Sequence, residues 1–297
     1  MCGHVGDQDG IGRPIRCRAD RRCDRLGASC LRFGAIRTAQ KNRSGWACFC
    51  LPIIPSYGRN RWAQEDRLKK IGMIGGLSWV ASAEYYKRLN ELTQQAGGGV
   101  ASARIVLESI NRQDYIRAMV DRKDEDAACR IILDAAYALK AAKADFIVIA
   151  CNNAHRFVPV IQPLVDLPVL HIADVTATAI KAQGMGKVAV LGVRPTMEGH
   201  FYPDSLARQG LQTVPLTEPE KTFIHHSIHS ELVQNQFHET TRQSYHDIIA
   251  ALRDRGADCV ALACTEIPLL LSSGNASLPV FSTTELHCQA AVAMALE

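Results

Sequence analysis

Two segments of the 297-residue sequence share one pattern, an apolar run that ends abruptly at a cysteine. In KADFIVIACNNAH the run stops at Cys151, and in GADCVALACTEIP it stops at Cys264. Each run contains an Ala-Asp pair at its start and is followed at once by polar residues. A continuous apolar run of this length predicts a strand that is buried on both faces, as in a parallel sheet. Such a sheet needs helices on both of its sides.

The two segments belong to a longer repeat. KIGMIGG opens the first half of this region and KVAVLG opens the second. The interval from Gly75 to Cys151 is 76 residues, and that from Gly192 to Cys264 is 72 residues. A Leu-Pro-Val sequence follows each cysteine, and segments with helical spacing separate the apolar runs. We predict an α/β protein of two similar lobes, each a parallel sheet flanked by helices, related by pseudo-twofold symmetry with the site between them.

Composition separates the start of the chain from the rest. Residues 1–70 hold 15 Lys and Arg against 6 Asp and Glu, together with six of the eleven cysteines, and show no periodicity. We expect residues 1–68 to be a basic extension that is either disordered or foreign to the native protein. Residues 69–186 are expected to form the first lobe, with a possible segment contributed from the end of the chain. Residues 187–297 are expected to form the second lobe.

Several classes of function are disfavoured by composition. The chain is 47% hydrophobic and 22% charged, which is typical of a globular protein. No apolar run approaches the roughly 20 residues of a membrane span, and no secretory signal is visible. The basic excess is confined to the first seventy residues, so the main body has no nucleic-acid signature. The five later cysteines lack framework spacing, and we expect reduced thiols in a cytoplasmic protein with no membrane or nucleic-acid partner.

The two strand-end cysteines mark a candidate site. Ligands of open parallel sheets bind beyond the carboxyl ends of the strands, where Cys151 and Cys264 lie, one in each predicted lobe. If the lobes face each other, one thiolate can remove a proton from a carbon acid while the other thiol returns one to the opposite face. Asn152 and Thr265 are good N-cap residue types, so we expect a helix to begin after each cysteine. Its free amides would bind a carboxylate and lower the pKa of the thiol.

Five motifs resemble, in their order, those of the aspartate/glutamate racemases that work without pyridoxal phosphate. They are GGLSW, CNNAH, LHIAD, GVRPTMEGHFY and ACTEIPLLL, and the resemblance covers residues 69–297. It implies an amino-acid racemase of two α/β lobes, a homodimer, acting on aspartate or glutamate with no cofactor and no metal. It also implies that Cys151 and Cys264 are catalytic, with Cys264 serving the L-enantiomer and Cys151 the D-enantiomer.

The same resemblance implies which residues contact the substrate. They lie in the first glycine loop and directly after each cysteine: Leu77, Ser78, Asn152, Asn153, Ala154, Thr265 and Glu266. Some close relatives carry threonine at the position of Cys151. Asn153 replaces a usual threonine, and Leu77 replaces a common methionine. Glu266 separates the chain from the glutamate racemases of cell-wall synthesis, which favour histidine at that position.

Alternative interpretations stay open. The same cysteines would serve a hydantoin racemase or a maleate isomerase, and a ligand-binding protein could keep the cleft without turnover. Four polar residues near the expected cleft either contact substrate or are packed or solvated: Arg112, His155, His171 and Arg194. The histidines of residues 225–229 have helical spacing but lack the partners of a metal site, so they indicate a packed or solvated helix face. The remaining cysteines fit the apolar core: Cys129, Cys259 and Cys288.

Overall fold

The computed structural model describes residues 68–271 and 276–297, and in these ranges the chain forms seven strands in two parallel sheets. The strands are β1 (Ile71–Gly75), β2 (Ile105–Ser109), β3 (Phe146–Ile149), β4 (Lys187–Leu191), β5 (Gln212–Thr213), β6 (Cys259–Leu262) and β7 (Val280–Ser282). Expectations for residues 1–67 lie outside the described residues.

The two sheets share one strand order. The first is β2-β1-β3 and the second is β5-β4-β6-β7, so the opening strand of each half lies between its second strand and the strand that leads to a cysteine. Every pairing is parallel, with Ile71 opposite Phe146 in the first sheet and Val188 opposite Cys259 in the second. The predicted fold class, two similar α/β lobes with parallel sheets, is confirmed.

Helices connect the strands and cover the sheets. They are α1 (Trp79–Gly97), α2 (Arg112–Ile116), α3 (Glu125–Ala141), α4 (Val158–Val165), α5 (Ile172–Ala182), α6 (Arg194–Glu198), α7 (Phe201–Arg208), α8 (Glu218–Ser230), α9 (Glu239–Asp254), α10 (Ile267–Leu270) and α11 (Thr283–Leu296). A π-helical turn (Arg117–Asp121) extends α2, and two 3₁₀ helices span Asn153–Phe157 and Leu232–Gln234. Among these described helices, none is long and apolar enough to cross a membrane.

The Leu-Pro-Val sequences differ between the two halves. The second forms the strand β7, which pairs with β6. The first makes a single bridge, between Ile147 and Val169, beside β3. Two of the remaining cysteines, Cys259 and Cys288, are buried in the core as expected, whereas Cys129 is half-buried.

The last helix returns to the first half of the chain. Helix α11 follows β7 of the second sheet, yet it packs against α1 and α5 and buries Cys288 and Val292 beside Ile71 of the first sheet. Arg88 on α1 donates two hydrogen bonds to Glu285 on α11, with nitrogen–oxygen distances of 2.6 and 2.7 Å. Bidentate pairs of this kind fix geometry as well as adding energy. Helix α11 is therefore continuous with β7 of the second sheet and packs against the first sheet.

Candidate active site

A cavity of about 560 Å³ opens at the carboxyl ends of β1 and β3 of the first sheet and of β4 and β6 of the second. Both Cys151 and Cys264 line it, the first directly beyond the β3 end and the second beyond β6. Six of the seven expected substrate contacts also line it: Leu77, Ser78, Asn152, Asn153, Thr265 and Glu266. The seventh, Ala154, is fully buried behind the wall. Parallel strands place their carboxyl ends on one edge of a sheet, which brings these residues together.

The first glycine loop depends on a position that only glycine fits. Gly76 has a φ of +86°, and a Cβ there would lie 2.0 Å from the carbonyl oxygen of Ile110. Its N–H donates to Oγ of Ser82 at 2.9 Å. The turn delivers Ser78 to the start of α1, where its hydroxyl accepts the N–H of Ala81 as an N-cap.

The Cys151 thiol lies beside two backbone amides. They are the N–H groups of Asn153 and Ala154, which favour the thiolate. Burial raises the pKa of this thiol, and the two amides and the charge of Arg112 lower it, but burial prevails. The expectation of a lowered pKa is therefore wrong, because desolvation of the thiolate outweighs the local dipoles.

The Cys264 thiol lies against a buried carboxylate. Its Sγ donates a hydrogen bond to Oε2 of Glu266 at 3.0 Å, and the Thr265 hydroxyl donates to the same oxygen at 2.6 Å. Oε1 of Glu266 accepts from the Ser78 hydroxyl at 3.3 Å, and the side chain is only 4% exposed. Burial, followed by the negative charge and hydrogen bond of Glu266, raises the pKa of Cys264 well above its usual value.

The helix starts after the cysteines differ from the expectation. Asn152 precedes a 3₁₀ helix and Glu266, rather than Thr265, precedes α10, and neither side chain caps the backbone that follows. The Thr265 hydroxyl is used by Glu266 instead. The N-cap expectation is wrong because other hydrogen bonds compete successfully for both side chains, to the distant Thr283 for Asn152 and to the adjacent Glu266 for Thr265.

The two arginines beside the cavity have opposite environments. Arg194 is neutralised, since its guanidinium lies 2.7 Å from Glu198 and 2.5 Å from Glu218. Arg112 is half-buried and makes no ion pair or hydrogen bond with any side chain in the described ranges, yet it lines the cavity. Its charge lowers the pKa of Cys151 and of His229. Arg112 is therefore the cation with free hydrogen-bonding capacity at this wall.

Two histidines expected near the cleft lie behind it. His155 is fully buried, donates its Nδ1–H to the carbonyl oxygen of Cys151 at 2.9 Å, and contacts the rings of His171 and His287 at centroid distances of 5.1 and 5.3 Å. Neither His155 nor His171 lines the cavity. The sequence predicted that the histidines of α8 are solvated or packed, but His225 and His229 line the cavity. Their i,i+4 spacing was the available signal.

Three buried polar atoms in the cavity wall lack a hydrogen-bond partner among the described residues. They are the hydroxyl of Tyr115, Oδ1 of Asn153 and Oγ1 of Thr196. Buried polar groups are normally hydrogen-bonded, so these atoms point to a ligand or solvent that completes them. Tyr115 and Thr196 carried no recognisable signal in the sequence. Residues 68–271 and 276–297 contain no group of three or more His, Cys, Asp or Glu side chains that could hold a metal ion.

This geometry agrees with what the chain is similar to. The sequence profile of the Asp/Glu/Hydantoin racemase family matches residues 74–291. The chain belongs to this racemase family. The matched range contains both cysteines and every cavity-lining residue, and the resemblance inferred from the five motifs is thereby confirmed.

Individual relatives of the family extend the comparison. The chain is 25% identical over 232 residues to the broad specificity amino-acid racemase RacX of Bacillus subtilis, covering 72% of this chain and 92% of RacX. A structure from Yersinia pestis, assigned as an Asp/Glu racemase, is 35% identical with a TM-score of 0.73. An aspartate racemase homologue from Pyrococcus horikoshii is 29% identical with a TM-score of 0.69. Each of these two structural comparisons covers 77% of this chain and all of the other chain. These relatives place the chain among amino-acid racemases, a class of isomerases.

Proposed function

We propose that this protein is a cofactor-independent racemase that inverts the α-carbon of aspartate or glutamate by proton transfer between two cysteines. The observation that carries the proposal is the place of Cys151 and Cys264, which follow equivalent strands of different sheets and line one cavity. A carbon acid bound between them would meet one sulfur on each face. Binders without turnover have no need of this arrangement.

The mechanism requires the two sulfurs to be in complementary protonation states. Burial favours the thiol at both cysteines; the amides of Asn153 and Ala154 make the thiolate less unfavourable at Cys151, whereas Glu266 makes it more unfavourable at Cys264. The thiolate takes the α-proton from one face, and the thiol gives its proton to the other face of the resulting carbanion. After turnover the two sulfurs have exchanged states. General acid–base catalysis of this kind contributes roughly 10²- to 10⁴-fold to rate.

Charges around the cavity suit an acidic amino acid. Glu266 is a buried carboxylate on one side of the cavity and can pair with the substrate ammonium. Backbone amides after Cys151 can bind the α-carboxylate and stabilise the charge that develops on it. Arg112, which has no protein partner among the described residues, can bind a side-chain carboxylate with charge-assisted bonds.

A wider range of side chains is a second candidate. Apolar side chains from both lobes form much of the cavity wall. They are Leu77, Ile116, Met119, Val120, Val193, Ile228 and Val233. The similarity to a broad specificity racemase favours the same alternative. Apolar walls bind neutral side chains without a specific partner, so activity on neutral amino acids would accompany activity on aspartate.

A substrate panel tests the proposal. The purified full chain, dialysed against a chelator and without pyridoxal phosphate, is incubated with each enantiomer of aspartate, glutamate and alanine, and with a substituted hydantoin and maleate. Optical rotation and chiral chromatography follow the products. Racemisation of aspartate or glutamate supports the proposal. Turnover of hydantoin or maleate alone assigns the enzyme elsewhere in the family, and activity that needs added metal or pyridoxal phosphate contradicts the mechanism.

The proposal includes the setting of the enzyme. We propose a homodimer in the cytoplasm, with lobes at residues 69–186 and 187–297 and with helix α11 completing the first. Residues 1–68 are proposed to be dispensable, so a chain that starts at Arg67 should fold and retain turnover. Light scattering of the full chain and activity of the shortened chain test these points, and an insoluble or inactive shortened chain would contradict the boundary.

A further inference from the structure

The side chain of Asn152 is held by two buried hydroxyl groups. The Tyr202 hydroxyl donates to Oδ1 of Asn152 at 2.5 Å, and Nδ2 of Asn152 donates to Oγ1 of Thr283 at 3.1 Å. The Thr283 hydroxyl in turn donates to the carbonyl oxygen of Leu262 at 3.0 Å. Tyr202 and Thr283 are fully buried, and Asn152 is 6% exposed. At most one amide hydrogen of this side chain remains for a ligand.

The direction of these hydrogen bonds follows from their end point. The single hydroxyl proton of Thr283 has two acceptors within reach, the carbonyl oxygen of Leu262 at 3.0 Å and Oδ1 of Asn152 at 3.4 Å, and the shorter contact assigns it to Leu262. The oxygen of Thr283 must then accept from Nδ2 of Asn152, which turns Oδ1 toward Tyr202. The chain therefore runs one way from Tyr202 to Leu262, and each group depends on its neighbour. Removing any one member of a buried network of this kind costs free energy, because its neighbours lose their hydrogen-bond partners.

The network joins the two thiol loops. Asn152 directly follows Cys151 at the end of the first sheet, and Leu262 lies two residues before Cys264 at the end of β6. Only two hydrogen bonds, through Thr283, separate these segments. Thr283 is the first residue of α11 and Tyr202 is the second residue of α7, and both helices pack against α5.

We propose that Asn152, Tyr202 and Thr283 are positioning residues that fix the spacing between the Cys151 and Cys264 thiols. The effect of this spacing on catalysis rests on the proposed function. Inversion needs both sulfurs to reach one carbon from opposite faces, whereas α-proton exchange on one face needs one sulfur. A looser network should therefore impair inversion more than exchange. A misplacement of an ångström costs on the order of 10²-fold in rate.

Chemical cross-linking measures the spacing without catalysis. The full chain at pH 9 is treated with bifunctional thiol reagents of graded length, and mass spectrometry quantifies the peptide pair that joins Cys151 to Cys264. We expect the wild type to prefer one length. Thr283→Val, which removes the hydroxyl at constant shape, should lose that preference, and Thr283→Ser should keep it. Thr93→Val is the matched control, because Thr93 is equally buried and bonds only its own helix carbonyl at Leu89.

Isotope exchange measures the catalytic consequence. In deuterated water, NMR follows α-deuteration of each enantiomer and chiral chromatography follows inversion. Tyr202→Phe should lower inversion by roughly 30-fold while exchange falls only a few-fold, since each thiol still reaches its own face. Tyr245→Phe is the control, because it removes another fully buried hydroxyl, bonded to Ser227 at 3.1 Å. The control should leave the ratio of exchange to inversion at the wild-type value.

The outcomes separate the two proposals. A changed linker profile and a raised exchange-to-inversion ratio in Thr283→Val and Tyr202→Phe, with rescue by Thr283→Ser, support the positioning role. A wild-type profile in Thr283→Val, or equal losses in Thr283→Ser, would overturn it. If the wild type turns over no amino acid but the linker profile still responds to Thr283→Val, the spacing role stands and the proposed function fails.

Discussion

Glu266 accepts a hydrogen bond from the Cys264 thiol over 3.0 Å while it is buried at 4% exposure. A buried carboxylate beside a thiol opposes formation of the thiolate, because two negative charges would share a poorly solvated space. At Cys151, burial and the charge of Glu266 also raise the pKa of the thiol, but two backbone amides and the positive charge of Arg112 oppose them. The pair of thiols is therefore electrostatically asymmetric before a substrate binds, although both occupy equivalent positions in the repeat.

Neutralising Glu266 should make Cys264 more reactive. In Glu266→Gln the charge that raises the pKa of Cys264 is absent, so the thiolate forms at lower pH. We expect alkylation of Cys264 by iodoacetamide at pH 8 to accelerate by about tenfold, equivalent to roughly one pKa unit. Mass spectrometry of the Cys264 peptide between pH 6 and 10 measures the profile. Glu198→Gln, a cavity carboxylate paired with Arg194, is the control, and an identical profile in both variants would contradict the assignment.

Single cysteine variants should separate exchange from racemisation. Replacing either Cys151 or Cys264 with alanine removes the acid or base from one face, and we expect racemisation to fall by roughly 10²- to 10⁴-fold in both directions. In deuterated water, Cys151→Ala should retain slow α-exchange of the L-substrate and lose that of the D-substrate, with the reverse in Cys264→Ala. NMR of each enantiomer detects the difference. Near wild-type racemisation by both variants would exclude the two-thiol mechanism.

Arg112 should determine the affinity for acidic side chains. Its guanidinium is free of ion pairs with the described residues and lines the cavity, so Arg112→Ala should raise KM for aspartate and glutamate by roughly 10- to 100-fold. Turnover of alanine, if the wild type shows it, should be nearly unchanged. Arg117→Ala is a nearby control, since Arg117 is exposed and lies 3.5 Å from Asp114. Equal losses for acidic and neutral substrates would indicate a general structural role.

The histidines behind the cavity should make stability depend on pH. Burial lowers the pKa of His287 to about 4 and that of His155 well below its usual value. His287 donates from Nε2 to Leu170 and accepts at Nδ1 from Tyr85, so its neutral form is the bonded one. In the unfolded chain both would titrate near ~6.5, and the unfolded state therefore binds protons first as pH falls.

The sign of the effect follows directly. Stability should be highest above about pH 6.5 and should decline as pH falls toward 4, by on the order of 3 kcal/mol for His287 alone. Urea titrations at pH 7.5, 6.0 and 5.0 measure the free energy of unfolding. His287→Gln should be less stable at pH 7.5 but show a shallower decline, whereas His226→Gln, at an exposed position, should follow the wild type. A flat wild-type profile would contradict the prediction.

The sequence by itself determined the strands, the helices between them and the residues at the strand ends. Apolar runs and helical spacing are local signals, and they located β3 and β6 and both cysteines correctly. Helix α1 starts at Trp79, directly after the cap made by Ser78. Near-equal spacing of landmarks also predicted two similar sheets, because a repeated sequence pattern forms a repeated structural unit.

Only the tertiary structure decided what each polar side chain bonds. Asn152 has the type of an N-cap residue, but Thr283, 131 positions later, takes its amide. Arg112 and Arg194 look alike in sequence, and two carboxylates neutralise only the second. The direction of the thiol pKa shifts also depended on burial, which is set by distant elements packing over the site. Backbone patterns are encoded by neighbours along the chain, whereas hydrogen-bond partners and desolvation arise from neighbours in space.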